Sequence, residues 1–125
     1  MKTMHILSNS HLDREHRHEF QETRLMMVEM LDDVIRIMEA DDSYRYFTLD
    51  GQAIVLDDYL EMRPHMRPRL QALIRAGRIQ IGPWYSLVDC YAVNPESIIR
   101  NLVVGRRGCR EFGEPMPVGD SIFSF

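Results

Sequence analysis

The chain has no surplus of positive charge: fifteen Lys and Arg stand against nineteen Asp and Glu, for a net charge of -4. A phosphate backbone would find little to hold it, which argues against nucleic acid as a partner. No apolar stretch approaches the roughly 20 residues that span a bilayer, and the N-terminal apolar run is too short for a signal sequence. No membrane attachment and a cytoplasmic location are therefore expected. Cysteine is scarce, with only Cys90 and Cys109 in 125 residues. Two thiols so far apart suggest neither a disulfide scaffold nor a zinc knuckle, and both are expected to be reduced. Repeats and low-complexity linkers are lacking as well. What remains is 45% hydrophobic and 27% charged, the proportions of a globular protein. Residues 1–125 are expected to form one domain, long enough for a real core but short for a complete barrel enzyme.

The stretch His5-Ile6-Leu7-Ser8-Asn9-Ser10-His11-Leu12-Asp13-Arg14-Glu15 organises the rest. An apolar run, Met4 to Ser8, reads as a first strand and is followed by an imidazole and a carboxylate two positions apart. On an extended backbone residues i and i+2 point the same way, and both groups are good Zn²⁺ ligands. His11 and Asp13 are thus candidate ligands of one metal ion; the alternative is a hydrogen-bonded pair in a turn. Catalytic zinc uses three protein ligands, so this pair alone would hold an ion weakly. His16 and His18 flank a helix start, where solvated histidines are common.

From about His16, Phe20, Leu25, Val28, Leu31, Ile35 and Met38 recur at helical spacing, which predicts a long amphipathic helix ending in a turn at Asp41-Asp42-Ser43. Tyr44 to Leu49 reads as a second strand closed by Asp50-Gly51. Ala53 to Ala76 reads as two helical pieces broken by Pro64 and Pro68, the second running from Pro68. Gly77 suits a left-handed cap before a third strand, Arg78 to Gly82, closed by Pro83-Trp84-Tyr85. Asn94-Pro95-Glu96 is a strong helix start: Asn caps, Pro fits the first position and Glu meets the positive end of the dipole. That helix is expected to run to Gly113, with a fourth strand at Met116 to Gly119. The order β-α-β-α-β-α-β argues for an α/β fold with a parallel sheet, either open and doubly wound or part of a barrel. In both, chemistry gathers at the carboxyl ends of strands, where His11, Asp13, Asp50, Trp84, Tyr85, Asp89 and Asp120 fall.

Several separated blocks carry a family likeness: His11-Leu12-Asp13-Arg14-Glu15, Phe47-Thr48-Leu49-Asp50-Gly51-Gln52, Asp57-Asp58-Tyr59-Leu60-Glu61, Gly82-Pro83-Trp84-Tyr85, Glu96 to Leu102, and Phe112-Gly113. In collinear order over nearly the whole chain, they resemble the opening of the catalytic domain of glycoside hydrolase family 38, the zinc-dependent α-mannosidases, and within it the bacterial branch that includes mannosylglycerate hydrolases. The resemblance implies about the first half of a seven-stranded β/α barrel, an α-mannoside substrate, and His11 and Asp13 as two ligands of one Zn²⁺ ion. In that family zinc holds hydroxyls of the mannose ring. A carboxylate that also touches zinc attacks the anomeric carbon, and a second carboxyl group serves as acid and then base, about 5 to 5.5 Å away in retaining enzymes. Asp50, Trp84 and Asp89 are candidate substrate-binding residues. Asp50 and Asp89 could equally bond turn amides, and Trp84 could equally anchor the core.

The chain departs from the family pattern at three points. His16 stands where the family usually has Trp, and Asp89-Cys90 where it tends to carry an acidic pair. Phe123 falls where the nucleophile of a Tyr-x-Pro-Asp-x-Phe-Gly block is expected, and phenylalanine cannot attack. Asp120, three positions earlier, is the only nearby carboxylate and so the candidate nucleophile. The expectation is an N-terminal fragment of a retaining α-mannosidase, inactive alone, with self-association through an uncovered barrel edge. A non-catalytic carbohydrate-binding or assembly module derived from that domain is the alternative.

Overall fold

A computed structural model describes residues 2–119. The longest element, α1 (Phe20–Ala40), buries Met27, Val28, Leu31, Val34, Ile35 and Met38, one stripe at helical spacing. It starts four residues later than the periodicity suggests. Arg14 is drawn to Asp58, with Nη2 2.8 Å from Oδ2, and its guanidinium lies over the Phe20 ring. This holds the intervening segment in bends rather than helical turns. At the far end Asp41 Oδ1 accepts from Ser43 N at 2.8 Å, the expected turn.

The helical pieces α2 (Ile54–Met62) and α3 (Arg67–Arg75) are separated by a short 3₁₀ turn, Pro64–Met66, as the two prolines predict. Both pack against α1. After α3, Gly77 has φ 71°, the left-handed conformation a residue without a Cβ adopts at little cost.

The sheet is parallel but smaller than expected. Its two strands, β1 (Phe47–Thr48) and β2 (Ile79–Gln80), pair with Phe47 opposite Ile79 and Thr48 opposite Gln80. The first strand expected at Met4 to Ser8 is replaced by a single parallel bridge, Asn9 to Thr48, with Thr48 N donating to Ser8 O and Ser10 N to Thr48 O. Pairing starts only where β1 offers a free edge, and Met4, Ile6 and Leu7 lie exposed before it. The fourth strand expected at Met116 to Gly119 is likewise reduced, among the described residues, to one bond from Met116 N to Ile81 O. The observed class is therefore α/β with a small parallel sheet.

The last helix, α4 (Pro95–Cys109), starts as predicted, with Asn94 Oδ1 accepting from Ser97 N at 2.9 Å. It ends at Cys109 rather than Gly113, where the amides of Phe112 and Gly113 turn back to the Cys109 carbonyl. It is seated by Gly105, whose added Cβ would stand 2.3 Å from Trp84 C and Tyr85 N. The core lies between α1, α2, α3 and the two strands, with Tyr59, Leu56, Leu70 and Ile81 fully enclosed. Both cysteines are free, Cys90 exposed and Cys109 buried. Burial pushes the Cys109 thiol up to about 11.

Candidate functional site

The site is assembled from three chain segments leaving the sheet. Beyond the bridge at Asn9 the side chains of His11 and Asp13 turn toward each other. His11 Nε2 stands 3.4 Å from Asp13 Oδ1, and both side chains are 43% exposed. Two ligands held about 2.0–2.1 Å from a tetrahedral zinc lie about 3.3 Å apart, so the separation matches a shared ion. The donor types fit as well: one neutral imidazole nitrogen and one carboxylate oxygen. Among the described residues no third His, Cys, Asp or Glu joins them in a cluster able to hold a metal.

The other imidazole nitrogen is already engaged. His11 Nδ1 lies 3.3 Å from Asp50 Oδ1, while Asp50 Oδ2 accepts from Leu12 N at 2.8 Å and from Gln52 Nε2 at 2.9 Å. A carboxylate that accepts a hydrogen bond from Nδ1–H favours the tautomer that carries its lone pair on Nε2, the nitrogen that would meet a metal. Asp50 occupies this place because of its backbone: it lies two residues beyond the end of β1 with φ 31°, and Gly51 follows at φ 66°. A non-glycine residue in that region costs about 1–3 kcal/mol and persists where its surroundings over-determine it. Here three groups hold its carboxylate, and its side chain is 3% exposed.

Asp50, offered by the sequence as a substrate binder, therefore turns inward to His11 and Leu12. Trp84 is 9% exposed, and Gly119 sits so close that an added Cβ would be 3.2 Å from the indole nitrogen. Its backbone bridges to Gln52 and its carbonyl accepts from Ala53 N, so of its two readings the core anchor has the support of burial. Asp89 lies on the surface, where its Oδ1 accepts from Tyr91 N at 2.9 Å in a turn. His18 pairs with Glu22 at 3.2 Å, as a solvated histidine at a helix start would. Asp120 and Phe123 lie outside the described residues.

Two residues were not singled out from the sequence. Gln52 joins the three segments through its side-chain amide, and Asn101 on α4 clamps the third: its Oδ1 accepts from Tyr85 N at 2.6 Å and its Nδ2 donates to Ser86 O at 2.7 Å. The spacing of Gln52 two positions after Asp50 is the one local signal that existed. Beside the pair lies an open cleft of about 490 Å³, bounded by Asp13, Arg14, Phe20, Gln52 and Leu87. Arg14 and Arg24 both reach Asp58, and Arg24 also reaches Glu61. Arg24 Nε lies 3.1 Å from Asp58 Oδ1 but off the hydrogen-bonding direction.

Comparisons with known proteins agree on one family. The family model for the glycosyl hydrolases family 38 N-terminal domain matches residues 1–120. A Halalkalibacterium halodurans protein named "Putative mannosylglycerate hydrolase" is 39% identical over 113 residues, 90% of this chain and 13% of the relative. The crystal structure of an alpha-mannosidase from Enterococcus faecalis V583 superposes with a TM-score of 0.85 at 36% identity, covering 88% of this chain and 12% of that one. A second Enterococcus faecalis structure, of a protein in glycosyl hydrolase family 38, gives 0.82 at 33% identity, over 92% and 14% of the two chains. The chain thus spans about an eighth of the length of each of these relatives.

Proposed function

The chain belongs to glycosyl hydrolase family 38, and from that premise we propose that it supplies the zinc-holding strand exits of a retaining α-mannosidase, with α-mannosides, mannosylglycerate among them, as its substrates. The observation that carries this reading is the His11 and Asp13 pair, 3.4 Å apart, with the imidazole braced from behind by Asp50. His11 Nε2 and Asp13 Oδ1 would hold the ion. When bound, zinc supplies a template for the mannose hydroxyls and an electrostatic clamp on the sugar. The chain's own residues do the orienting. Asp50 keeps the His11 ring turned outward, and Asp13 lines the cleft in which a sugar ring would lie.

The parallel succession of residues 8–10, β1 and β2, followed by the bond from Met116 to Ile81, supports assigning residues 1–125 to about the first half of a seven-stranded β/α barrel. We assign Asp120 as the carboxylate nearest the nucleophile position. With Phe123 at that position itself, the 125 residues on their own do not turn over substrate. The test is an exchange: the matching segment of the Enterococcus faecalis V583 alpha-mannosidase is replaced by this sequence, with and without His11→Ala and Asp13→Ala. Zinc-dependent hydrolysis of an aryl α-mannoside, with Phe123→Asp also introduced, should survive the exchange and fall at least about 100-fold in either variant. Equal activity in the variants would refute the assignment.

A further inference from the structure

Gln52 is 3% exposed, and both of its polar atoms are bound to other segments. Nε2 donates to Leu12 O at 3.1 Å and to Asp50 Oδ2 at 2.9 Å, and Oε1 accepts from Leu87 N at 3.2 Å. Leu12 is the residue between the two candidate ligands, and Asp50 is the carboxylate that bonds both His11 Nδ1 and Leu12 N. One buried amide thus ties together the segment after Asn9, the turn after β1 and the loop after Trp84. The geometry points to Gln52 as a positioning residue for the His11 and Asp13 pair. It fixes the backbone between them, and it fixes the carboxylate that sets which imidazole nitrogen carries the proton.

This inference rests on the reading that His11 and Asp13 take a divalent cation, and it makes a demand that packing alone does not. Gln52→Glu keeps the length and the acceptor for Leu87 N but puts oxygen where an N–H faced Asp50 Oδ2 and Leu12 O, so two acceptors oppose each other. Gln52→Leu fills similar space with no donor at all. Neither is a neutral exchange if the amide positions the pair; a residue that only fills space would tolerate either.

The experiment compares the 125-residue chain with its Gln52→Glu and Gln52→Leu variants at about pH 8, above the ordinary imidazole range. The readouts are the ¹⁵N spectrum of the His11 ring without metal and the zinc Kd by competition with a chromophoric chelator. The chain should show a single His11 tautomer protonated at Nδ1; the variants should show a mixture and a zinc Kd raised about 10- to 100-fold. Unchanged ring signals and an unchanged Kd in a folded variant would overturn the inference. If the parent chain takes no zinc while its tautomer still depends on Gln52, the metal reading fails and the positioning role stands. Should neither variant fold, the parent chain decides. A nuclear Overhauser contact from the Gln52 amide protons to the Leu12–Asp13 backbone, with a single His11 tautomer, supports the role; absence of either overturns it.

Discussion

Tyr59 is fully enclosed, and its hydroxyl donates to Asp32 Oδ1 at 2.7 Å while Arg63 Nε donates to Asp32 Oδ2 at 3.1 Å. Burial first, and then the bond to Asp32, push the phenol well above its ordinary range. The neutral phenol is the form the fold favours. Its contribution is therefore complete below about pH 10, the ordinary phenol value, and is lost as pH rises beyond it, because the unfolded chain ionises first. Thermal melts should show stability falling steeply above that pH, with a shallower fall in Tyr59→Phe. At neutral pH the same variant should lose about 0.5–1.5 kcal/mol, the worth of one hydrogen bond. Equal alkaline slopes in the two proteins would contradict the assignment. At this scale the sequence was legible where neighbours are local: the side chains of His11 and Asp13, two positions apart, do approach each other. Asp50 and Gln52 were not, because their partners are about 40 residues away and meet them only once β1 is paired.

Among the elements, α4 depends on a close approach. It buries only Gly105 and Cys109 and is clamped by Asn101 to residues 85 and 86. A methyl group at Gly105 would meet backbone at 2.3–2.4 Å on the segment Pro83 to Tyr85, which cannot yield as a side chain can. Gly108, in the same helix, has nothing within 4 Å. Gly105→Ala should therefore cost about 1–3 kcal/mol or more by overpacking, while Gly108→Ala should gain up to about 1 kcal/mol of helix stability. Denaturant midpoints for the pair check this, and losses of the same size at both would contradict it. Helix ends carried by local chemistry could be read directly, as with Asn94-Pro95, the break at Pro64, the new helix start at Pro68, and Gly77. Strand extents could not. Met4 to Ser8 and Met116 to Gly119 have strand-like composition, but pairing needs a neighbouring edge, and among the described residues each finds only one or two bonds to β1 or Ile81.

For the molecule as a whole, the buried stripe of α1 and its packing on α2 and α3 close the core on one side. Other apolar groups face outward: Met4, Ile6 and Leu7 beside the β1 edge, and Ile99, Val103 and Val104 along α4. Among the described residues no helix is long and apolar enough to cross a membrane. Exposed apolar groups beside a sheet edge favour association. Sedimentation should therefore show the 125-residue chain associating with rising concentration, and Ile6→Glu with Leu7→Glu should shift it toward monomer. A monomer at all concentrations would refute this. The α/β class and the family likeness were both legible in the sequence, since separated blocks in one order leave little room for coincidence.

The central claim, that His11 and Asp13 share a divalent ion, is tested most directly by equilibrium dialysis of the 125-residue chain against zinc. The account predicts weak uptake of one ion per chain, lost in His11→Ala and in Asp13→Ala while their far-UV spectra stay unchanged. Uptake that survives in both variants, or none in the parent chain, would contradict it.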